Sequence, residues 1–274
     1  MQTGRQAKRR VSHPARQSVV NHNSKLLLFD VDGTLTDSAG LTRTALELAA
    51  FELYSVENST RGITAYGQTD RNIFDQMVAN NNLPIDAGRE FTRFSQVYLK
   101  HLKSMLFASD KPRLHLGVRE LLERLRQEKD LYLALGTGNV EGGARLKLER
   151  HGLNGYFPVG GFGSDNPVRA ELLFIGLKKA SAHYGIPFRS SDVWVIGDTP
   201  NDVHSGQKIG ANTIAVATGF FSPVKLASCR PTALFIDFTD NHRFVDVVRN
   251  GAAQIDLKIP ILTSEQTDEE SDPL

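Results

Sequence analysis

The sequence predicts an α/β fold, with a Rossmann-like, mostly parallel sheet that has helices on both faces, plus a smaller α-helical domain. From Leu131 onward, short apolar runs alternate with segments of helical periodicity, which is typical of parallel sheets covered on both faces. Before Leu131, about a hundred residues of mainly helical pattern follow the first apolar run, whereas an ordinary crossover needs little more than about a dozen. Such an excess predicts an inserted helical domain.

The first apolar run, at 26–31, has the length and composition of a buried strand. Amphipathic patterns then predict three helices, at 41–56, around 73–78 and at about 86–105. Aromatic side chains from Phe91 to Phe107 recur near helical spacing, so we expect them to form the core of the insertion. The predicted domains are an α/β core at 25–37 and 117–250 and a helical insertion at 38–116.

The remaining elements alternate as the fold class requires. The predicted strands share a short apolar run and lie at 131–135, 156–162, 193–198, 213–217 and 233–238. The predicted helices share an amphipathic pattern and lie at 117–129, 141–151, 171–184 and 202–209. Because parallel strands end at the same edge of a sheet, polar residues that follow different strands are expected to meet there.

The composition argues against several classes of partner. Lysine and arginine total 32 against 31 acidic residues, so no overall field favours nucleic acid or an anionic membrane. No apolar run has the length of a membrane-spanning helix. The single cysteine, Cys229, rules out an internal disulfide and fits a reducing compartment, so a cytoplasmic protein is expected.

The two ends of the chain differ from its middle. Residues 1–24 are basic and contain no acid, and three interpretations stay open: a disordered leader, an overextended start or an organellar transit segment. Residues 251–274 form a C-terminal segment whose acidic, polar tail is expected to be disordered. We expect neither end to belong to the folded core.

Two aspartates stand at the end of the first strand, in Asp30-Val31-Asp32-Gly33-Thr34. Side chains two residues apart in a strand point to the same face, so Asp30 and Asp32 are expected to converge on one spot. Two neighbouring carboxylates repel each other unless a cation or a proton lies between them. This pair therefore predicts a metal-assisted or acid/base site.

Two further polar segments follow later strands. The segment Gly-Thr-Gly-Asn at 136–139 offers a hydroxyl and backbone amides before a helix, an arrangement that favours an anion. Asp198 ends another strand, and Asp202 follows at the start of a helix. Carboxylates are the ligands that hard divalent cations prefer. Together the segments predict a site for a metal ion and an anion.

These segments resemble, in order, motifs I, II and IV of the haloacid dehalogenase superfamily of phosphohydrolases, over roughly residues 25–240. The chain is similar to the phosphatase branch that has a helical cap after motif I, the branch of phosphoglycolate phosphatases and β-phosphoglucomutases. The resemblance implies Mg²⁺-dependent hydrolysis of a small phosphorylated metabolite through an aspartyl-phosphate, with the insertion as the cap. In that mechanism Asp30 is the nucleophile, and Asp32 protonates the leaving group and then activates water.

The resemblance also implies the other roles. The phosphate-binding residues are Thr137, Gly138, Asn139 and Arg169. The Mg²⁺ ligands are the carboxylates of Asp30 and Asp198 and the backbone carbonyl of Asp32, with Asp202 orienting a ligand or a water. Mg²⁺ and Arg169 are expected to keep Asp30 ionised. The candidate substrate contacts in the cap are Arg43, Gln68, Thr69 and Arg71.

One residue departs from the family pattern. The family places a lysine before the helix ahead of motif IV, and this chain has Arg169 there. Arginine is permanently charged and can bind two oxygens at once, so we expect Arg169 to take over the function of the lysine. Lys178 and Lys179, well inside the same helix, are the alternatives.

Other activities stay open at this point. A phosphosugar mutase shares every motif. A dehalogenase has no need for an acid at Asp32, and a phosphonatase requires a cap lysine, for which Lys100 and Lys103 are the candidates before Lys111. The intact site residues argue against a further alternative, a non-catalytic binding module.

Overall fold

The structure, a computed structural model, describes residues 24–251. In chain order the strands and helices are β1 (Lys25–Phe29), β2 (Thr36–Asp37), α1 (Leu41–Tyr54), α2 (Asp70–Asn80), α3 (Ala87–Ala108), β3 (Arg113–Leu114), α4 (Val118–Gln127), β4 (Leu131–Thr137), α5 (Glu141–Glu149), β5 (Gly160–Phe162), α6 (Arg169–Tyr184), β6 (Val193–Gly197), α7 (Pro200–Lys208), β7 (Asn212–Val216), α8 (Pro223–Ser228), β8 (Ala233–Phe235) and α9 (Asn241–Asn250). The leader predicted before Ser24 and the tail predicted after Gly251 lie outside the described residues.

A six-stranded parallel sheet forms the centre of the α/β core, in the order β5-β4-β1-β6-β7-β8, which confirms the predicted fold class. β1 lies in the middle, with Phe29 opposite Leu135 of β4 on one side and Ile196 of β6 on the other. The chain first extends the sheet from β1 toward β5 and then returns to the other side of β1 for β6. Such a reversal creates a crevice at the carboxyl ends of the strands, where ligands bind in α/β folds.

Both faces of the sheet are buried. Leu28 of β1 packs with Leu173 of α6 on one face, whereas the adjacent Phe29 packs with Phe244 of α9 on the other. The rings of Phe29 and Phe244 stack with their centroids 6.3 Å apart. Fully burying one such side chain contributes about 1.5–3 kcal/mol, so a continuous apolar run is what a two-sided core requires.

The helical cap leaves and re-enters the core through two short antiparallel strands. β2 pairs with β3, and Thr36 lies opposite Leu114 while Asp37 lies opposite Arg113. The strands have two residues each, too few for an alternating pattern to stand out in the sequence, and the sequence interpretation missed them. Helices α1, α2 and α3 lie between them in the chain.

The cap has a hydrophobic core of its own. Phe74 of α2 stacks on Phe94 of α3 with their ring centroids 4.3 Å apart. Phe94 and Tyr98 are buried there as predicted, whereas Phe107, at the end of α3, is 47% exposed and does not belong to this core. Val140, at the start of α5, completes the cluster from the core domain, so cap and core share a packed boundary.

Two strand predictions are too long. The strand predicted at 156–162 is limited to Gly160–Phe162 and follows a 3-10 turn at Asn154–Tyr156. A Cβ at Gly161 would collide with the carbonyl group of Leu172, so β5 passes α6 at backbone distance and only glycine fits. The strand predicted at 233–238 ends at Phe235.

Two helices near the C-terminal end of the described chain were absent from the sequence interpretation. The six-residue α8 begins after Ser222, whose hydroxyl accepts a hydrogen bond from the Lys225 N–H. The Asp240 side chain caps α9 in the same way, by accepting from the Arg243 N–H. Among the residues that the structure describes, no helix combines the length and the apolar content needed to cross a membrane.

Candidate active site

Three neighbouring strands bring polar side chains to one point at the carboxyl edge of the sheet. Asp30 follows β1, Thr137 ends β4 and Asp198 follows β6. All three are buried, with at most 5% of their surface exposed. The Asp30 N–H donates a 2.9 Å hydrogen bond to the carbonyl oxygen of Ile196, so its backbone is still held by the sheet.

The loop after β1 turns tightly against Asp198. Gly33 has a φ of +76°, and a Cβ on Gly33 or on Gly219 would collide with the Asp198 carboxylate. The Thr34 hydroxyl donates a 2.9 Å hydrogen bond to Asp198 Oδ1. Two glycines and one hydroxyl therefore fix this carboxylate in place.

Three buried carboxylates, those of Asp30, Asp198 and Asp202, have oxygens within 4.8 Å of one another. Burial raises the pKa of Asp198 well above its ordinary value, and the charges of Asp202 and Asp30 raise it further. Burial also raises the pKa of Asp30 to about 6, although Arg169 and a hydrogen bond from Thr137 oppose the rise. Arg169 thus lowers the pKa of Asp30, as expected, but its effect is smaller than the opposing effect of burial. A cation at this cluster would favour the ionised carboxylates.

Arg169 is the first residue of α6 and is buried beside the carboxylates. Its Nη2 atom lies 3.0 Å from Asp30 Oδ2 and 2.6 Å from Asp202 Oδ1. Burial disfavours the charged guanidinium, but Asp202 and Asp30 together raise the pKa of Arg169 above its ordinary value. The site therefore holds a permanent positive charge next to Asp30.

The two lysines considered as alternatives to Arg169 do not reach the site. Lys178 Nζ lies over the Phe174 ring, 4.3 Å from its centroid. Lys179 Nζ forms an ion pair with Asp165 Oδ2 at 2.7 Å. Of the three candidate cations, the structure brings only Arg169 to the carboxylate cluster.

Asp202 is held at the N-terminus of α7 by a capping box. The Thr199 hydroxyl accepts a hydrogen bond from the Asp202 N–H, and Asp202 Oδ2 accepts one from the Thr199 N–H at 3.0 Å. Asp202 Oδ1 accepts from Arg169 at 2.6 Å. Both carboxylate oxygens are therefore engaged by protein groups.

Asp32 has a different set of partners from Asp30. Asp32 Oδ2 accepts hydrogen bonds from Lys147 Nζ at 2.5 Å and from Asn139 Nδ2 at 2.9 Å. Lys147 Nζ also donates to Asn139 Oδ1 at 2.5 Å. Asp32 is still close enough for its charge to raise the pKa of Asp30. The two aspartates are neighbours, but each faces its own cation because the strand ends at Phe29 and its alternation does not continue through the turn.

Lys147 is a charged residue of the site that the sequence interpretation missed. It lies in α5 with 1% of its side chain exposed. The sequence did contain a sign that Lys147 is buried. Position 147 falls on the same helical face as the buried Ala144 and Leu148, where a solvated lysine is not expected.

The loop after β4 lies directly under the cap. Thr137 Oγ1 accepts a hydrogen bond from Asn139 Nδ2 at 2.9 Å. A Cβ on Gly138 would collide with the backbone carbonyl of Gln68 in the cap, so this close approach needs a glycine. Thr137, Gly138 and Asn139, predicted together as an anion-binding segment, thus lie beside Asp30 and Asp32 at the floor of the cap interface.

A cavity of about 550 Å³ lies between the cap and this edge of the sheet. Asp30, Asp32 and Arg169 line it from the core. Two exposed aromatic side chains also line it, and Tyr66 of the cap stacks on Phe220 of the core with their ring centroids 4.3 Å apart. Most of the residues predicted for the nucleophile, the metal ligands and the phosphate therefore face one common cavity.

The model of the haloacid dehalogenase-like hydrolase family matches residues 24–210, a segment that includes all the strand-end motifs described above. The chain belongs to this family. It is 30% identical over 234 residues to a phosphoglycolate phosphatase of Aquifex aeolicus (strain VF5), an alignment that covers 80% of the chain and 98% of that relative. A phosphoglycolate phosphatase of Pseudomonas syringae pv. tomato (strain ATCC BAA-871 / DC3000) is 27% identical, over 78% of the chain and 76% of its own length.

Solved structures share the fold. CbbY from Rhodobacter sphaeroides, crystallised with phosphate, superposes with a TM-score of 0.62 at 15% identity, over 79% of the chain and 96% of its own length. The family match and the two curated relatives together make the protein a hydrolase of the phosphatase branch.

Of the four cap residues predicted to contact substrate in this hydrolase, two line the cavity and two do not. Arg43 and Gln68 line it, and the Arg43 guanidinium donates to the backbone carbonyl of Ile63 at 3.0 Å. Thr69 instead caps α2, accepting from the Asn72 N–H, and Arg71 pairs with Asp75 at 2.8 Å. Thr69 and Arg71 therefore make contacts within α2 itself, and neither is among the residues that line the cavity.

Asp70 is a second buried residue, to which the sequence interpretation gave no separate role, and it joins the cap to the core. Its N–H donates to the Gly138 carbonyl oxygen at 2.8 Å, and its Oδ2 accepts from the Val140 N–H at 2.7 Å. Burial raises the pKa of Asp70 to about 6, although the charge of Lys147 and the Val140 hydrogen bond oppose the rise. The cap of the hydrolase is thus bound to the segment that carries Thr137 and Gly138.

Proposed function

We propose that this hydrolase is a Mg²⁺-dependent phosphatase that removes the phosphoryl group from a small phosphorylated metabolite through an aspartyl-phosphate on Asp30. One observation carries the proposal: the buried Asp30 carboxylate lies 3.0 Å from the Arg169 guanidinium and beside the Asp198 carboxylate. A carboxylate nucleophile, a cation for the phosphoryl oxygens and a second carboxylate for a metal ion are the parts that this chemistry requires.

The residues present fit Mg²⁺. Asp30 and Asp198 would hold it through carboxylate oxygens and Asp32 through its backbone carbonyl, a set of hard oxygen ligands. Asp202 is engaged by Arg169 and by its own helix cap, which supports a positioning role for it. When bound, Mg²⁺ supplies positive charge that offsets the charge of the transferring group.

The chain's own residues account for both steps. In the first, an Asp30 oxygen bonds to phosphorus while the bond to the leaving oxygen breaks, and Asp32 gives its proton to that oxygen. In the second, Asp32 takes a proton from water, whose oxygen bonds to phosphorus as the acyl phosphate bond breaks. Inorganic phosphate leaves and Asp30 is regenerated. Thr137, Arg169 and the backbone amides after Thr137 bind the phosphoryl oxygens.

The relatives and the cavity support a small phosphorylated metabolite as the substrate. Both curated relatives are named phosphoglycolate phosphatases, so 2-phosphoglycolate is the first compound to test. The cavity of about 550 Å³ is in the range of small-molecule sites. The lone cysteine, Cys229, suits a reducing compartment, and we expect the enzyme in the cytoplasm.

A phosphonatase and a phosphosugar mutase can each be distinguished from the proposed phosphatase. A phosphonatase needs a cap lysine near the nucleophile, but no lysine of the described chain lines the cavity, and Lys100 pairs with Glu52 at 3.4 Å. A phosphosugar mutase returns the phosphoryl group to the sugar, so it yields an isomeric sugar phosphate in place of free phosphate. Release of inorganic phosphate separates the hydrolase from the mutase.

The test is phosphate release from 2-phosphoglycolate, a triose phosphate, β-glucose 1-phosphate and p-nitrophenyl phosphate, with Mg²⁺ and with EDTA. The wild type is expected to release phosphate only with Mg²⁺, and Asp30→Asn is expected to lose at least about 10³-fold, or about 4 kcal/mol of transition-state stabilisation. Asp246→Asn, an exposed change on α9, is the matched control. Acid-quenched wild type should carry a phosphoryl group on the peptide that contains Asp30. Near-normal turnover by Asp30→Asn would rule the proposal out.

A further inference from the structure

Lys147 is a buried charged group that the proposed mechanism does not use. Its side chain is 1% exposed, and its ammonium group lies 2.5 Å from Asp32 Oδ2 and 2.5 Å from Asn139 Oδ1. Burying an ammonium group is unfavourable, and a well-placed partner does little more than offset that cost, whereas a methionine fills similar space without it. The cost points to a role for Lys147 other than packing.

The two oxygens of Asp32 differ in what holds them. Oδ2 accepts hydrogen bonds from Lys147 and Asn139, whereas within the described chain Oδ1 accepts only from Ser38 Oγ, at 3.5 Å. The Asp32 side chain is 37% exposed and lines the cavity. Oδ2 is therefore the anchored atom, and Oδ1 is the atom available to a molecule in the cavity.

We propose that Lys147 is a positioning residue for proton transfer: together with Asn139 it holds Oδ2 of Asp32, so that Oδ1 faces the leaving-group oxygen. The inference rests on the proposed function, because it requires Asp32 as the proton donor. A carboxylate that is free to rotate spends only part of its time in the productive orientation. A charge-assisted hydrogen bond to one oxygen removes much of that freedom.

The contacts of Lys147 distinguish it from a substrate-binding residue. Lys147 is not among the residues that line the cavity, and within residues 24–251 its side chain donates hydrogen bonds only to Asp32 and Asn139. Its loss should therefore affect the reactions that depend on Asp32 and spare those that do not. Leaving groups that differ in their need for a proton make this difference measurable.

The test compares kcat of Lys147→Met and Lys147→Gln on two substrates, p-nitrophenyl phosphate and the best alkyl phosphate of the panel. Nitrophenolate leaves with little help from an acid, whereas an alkoxide needs a proton. Lys147→Met is expected to lower kcat roughly 10- to 100-fold on the alkyl phosphate and less than about threefold on the aryl phosphate. Lys147→Gln keeps an N–H donor and should recover part of the loss.

Two further variants show whether the effect passes through Asp32. Arg145→Met removes a cation from the same helix, where Arg145 contacts Glu141 and the Phe157 carbonyl, and it should leave the ratio of the two rates unchanged. The double variant Lys147→Met/Asp32→Asn should be no slower on the alkyl phosphate than Asp32→Asn alone, because residues that act as a unit are not additive.

The outcomes separate the two proposals. If Asp32→Asn slows both substrates equally, the general-acid role in the proposed function fails, and the role of Lys147 fails with it. If Asp32→Asn discriminates between the substrates but both Lys147 variants lose equally on the two, only the positioning role of Lys147 is overturned. Additive losses in the double variant would overturn it as well.

Discussion

Arg169 contacts two of the three buried carboxylates of the site directly. Removing one member of a buried ion pair is costly, because the charges left behind lose their partner in a medium of low dielectric constant. The same guanidinium is placed to bind the oxygens of a phosphoryl group on Asp30. At the scale of single residues, truncation of Arg169 should therefore affect both stability and catalysis.

Arg169→Met is expected to lower kcat on the order of 10²-fold at saturating Mg²⁺, since a charge-assisted contact to the transition state is lost. Arg169→Lys should recover part of this rate, because a point charge replaces some of the field without the two-pronged geometry. The double variant Lys178→Met/Lys179→Met is the control and should keep near-normal kcat, as neither lysine reaches the site. An essential lysine pair with a dispensable Arg169 would contradict this assignment.

Asp32→Asn is expected to slow alkyl phosphates by about 10²- to 10⁴-fold and p-nitrophenyl phosphate far less, because only the alkoxide needs a proton to leave. The comparison is of kcat for both substrates under identical Mg²⁺. Asp37→Asn serves as the control, since Asp37 lines the same cavity but pairs with Arg113 at 3.1 Å. This variant should not change the ratio of the kcat values for the two substrates.

The residues that follow the strands were predictable from the apolar runs before them, but the partners that helices bring to the site were harder to predict. For Lys147 the sequence offered only its position on an apolar helix face, which indicates burial but not a contact with Asp32. Asp30, Thr137 and Asp198 follow apolar runs, and parallel strands carry such residues to one edge. Lys147 and Asp70 belong to helices, and no sequence spacing relates them to the strand ends. Their contacts arise only when α5 and α2 pack against the core.

At the scale of elements, the N-terminus of α2 connects the cap to the core. Asp70 gives its N–H to the Gly138 carbonyl oxygen and takes the Val140 N–H on its carboxylate. Its neighbour Thr69 donates from Oγ1 to the Pro167 carbonyl oxygen at 3.2 Å. One helix end therefore reaches both the loop after β4 and the segment before α6.

Asp70 makes the stability of this contact dependent on pH. Because burial raises its pKa from 3.8 to about 6, the folded state binds the proton more tightly than the unfolded chain. The contribution of Asp70 to stability is therefore present below pH 3.8 and is lost as the pH rises through about 6. The full difference corresponds to about 3 kcal/mol.

Asp70→Asn should therefore raise the free energy of unfolding at pH 7.5, by up to about 3 kcal/mol, and change it little near pH 4. The amide oxygen of asparagine still accepts the Val140 N–H. Urea unfolding in EDTA between pH 4 and 8 measures the difference, with Asp75→Asn as a control on the same helix, where the side chain is 41% exposed. A difference between Asp70→Asn and the wild type that does not vary with pH would contradict the prediction.

Long apolar and amphipathic segments were predictable as elements, and short ones were not. β1, β4 and β6 consist mainly of apolar residues, and α3 repeats its buried positions over 22 residues. β2 and β3 have two residues each, which is shorter than one full alternation. α9 had a readable signal that was not used, a capping aspartate at 240 followed by the buried Phe244 and Val248.

At the scale of the whole molecule, the fold buries several carboxylates close together at the carboxyl edge of the sheet, which is unfavourable when they are ionised. Asp30, Asp198 and Asp202 lie within 4.8 Å of one another, and burial raises the pKa of both Asp30 and Asp198. Uncompensated buried carboxylates oppose folding at neutral pH. A bound divalent cation would relieve this cost, so stability and metal binding should be linked.

Asp198→Asn should be more stable than the wild type in EDTA and should gain nothing from Mg²⁺. The wild type, in contrast, should gain about 2.7 kcal/mol at a Mg²⁺ concentration a hundred times Kd, or roughly 5–10 °C in Tm. Thermal unfolding of both proteins with EDTA and with increasing Mg²⁺ measures the effect. Equal Mg²⁺ stabilisation of the two proteins would show that Asp198 is not a ligand.

Because β2 and β3 pair antiparallel, the two ends of the cap lie side by side, and the cap occupies the position that the turn occupies in a β-hairpin. The entropy of closing a loop grows only slowly with loop length, so the core tolerates a long or a short insertion at this joint at similar cost. An ancestral gene could therefore exchange one cap for another at a single pair of crossing points while Asp30, Thr137 and Asp198 stayed in register. Substrate choice and catalytic chemistry would then be inherited as separate modules.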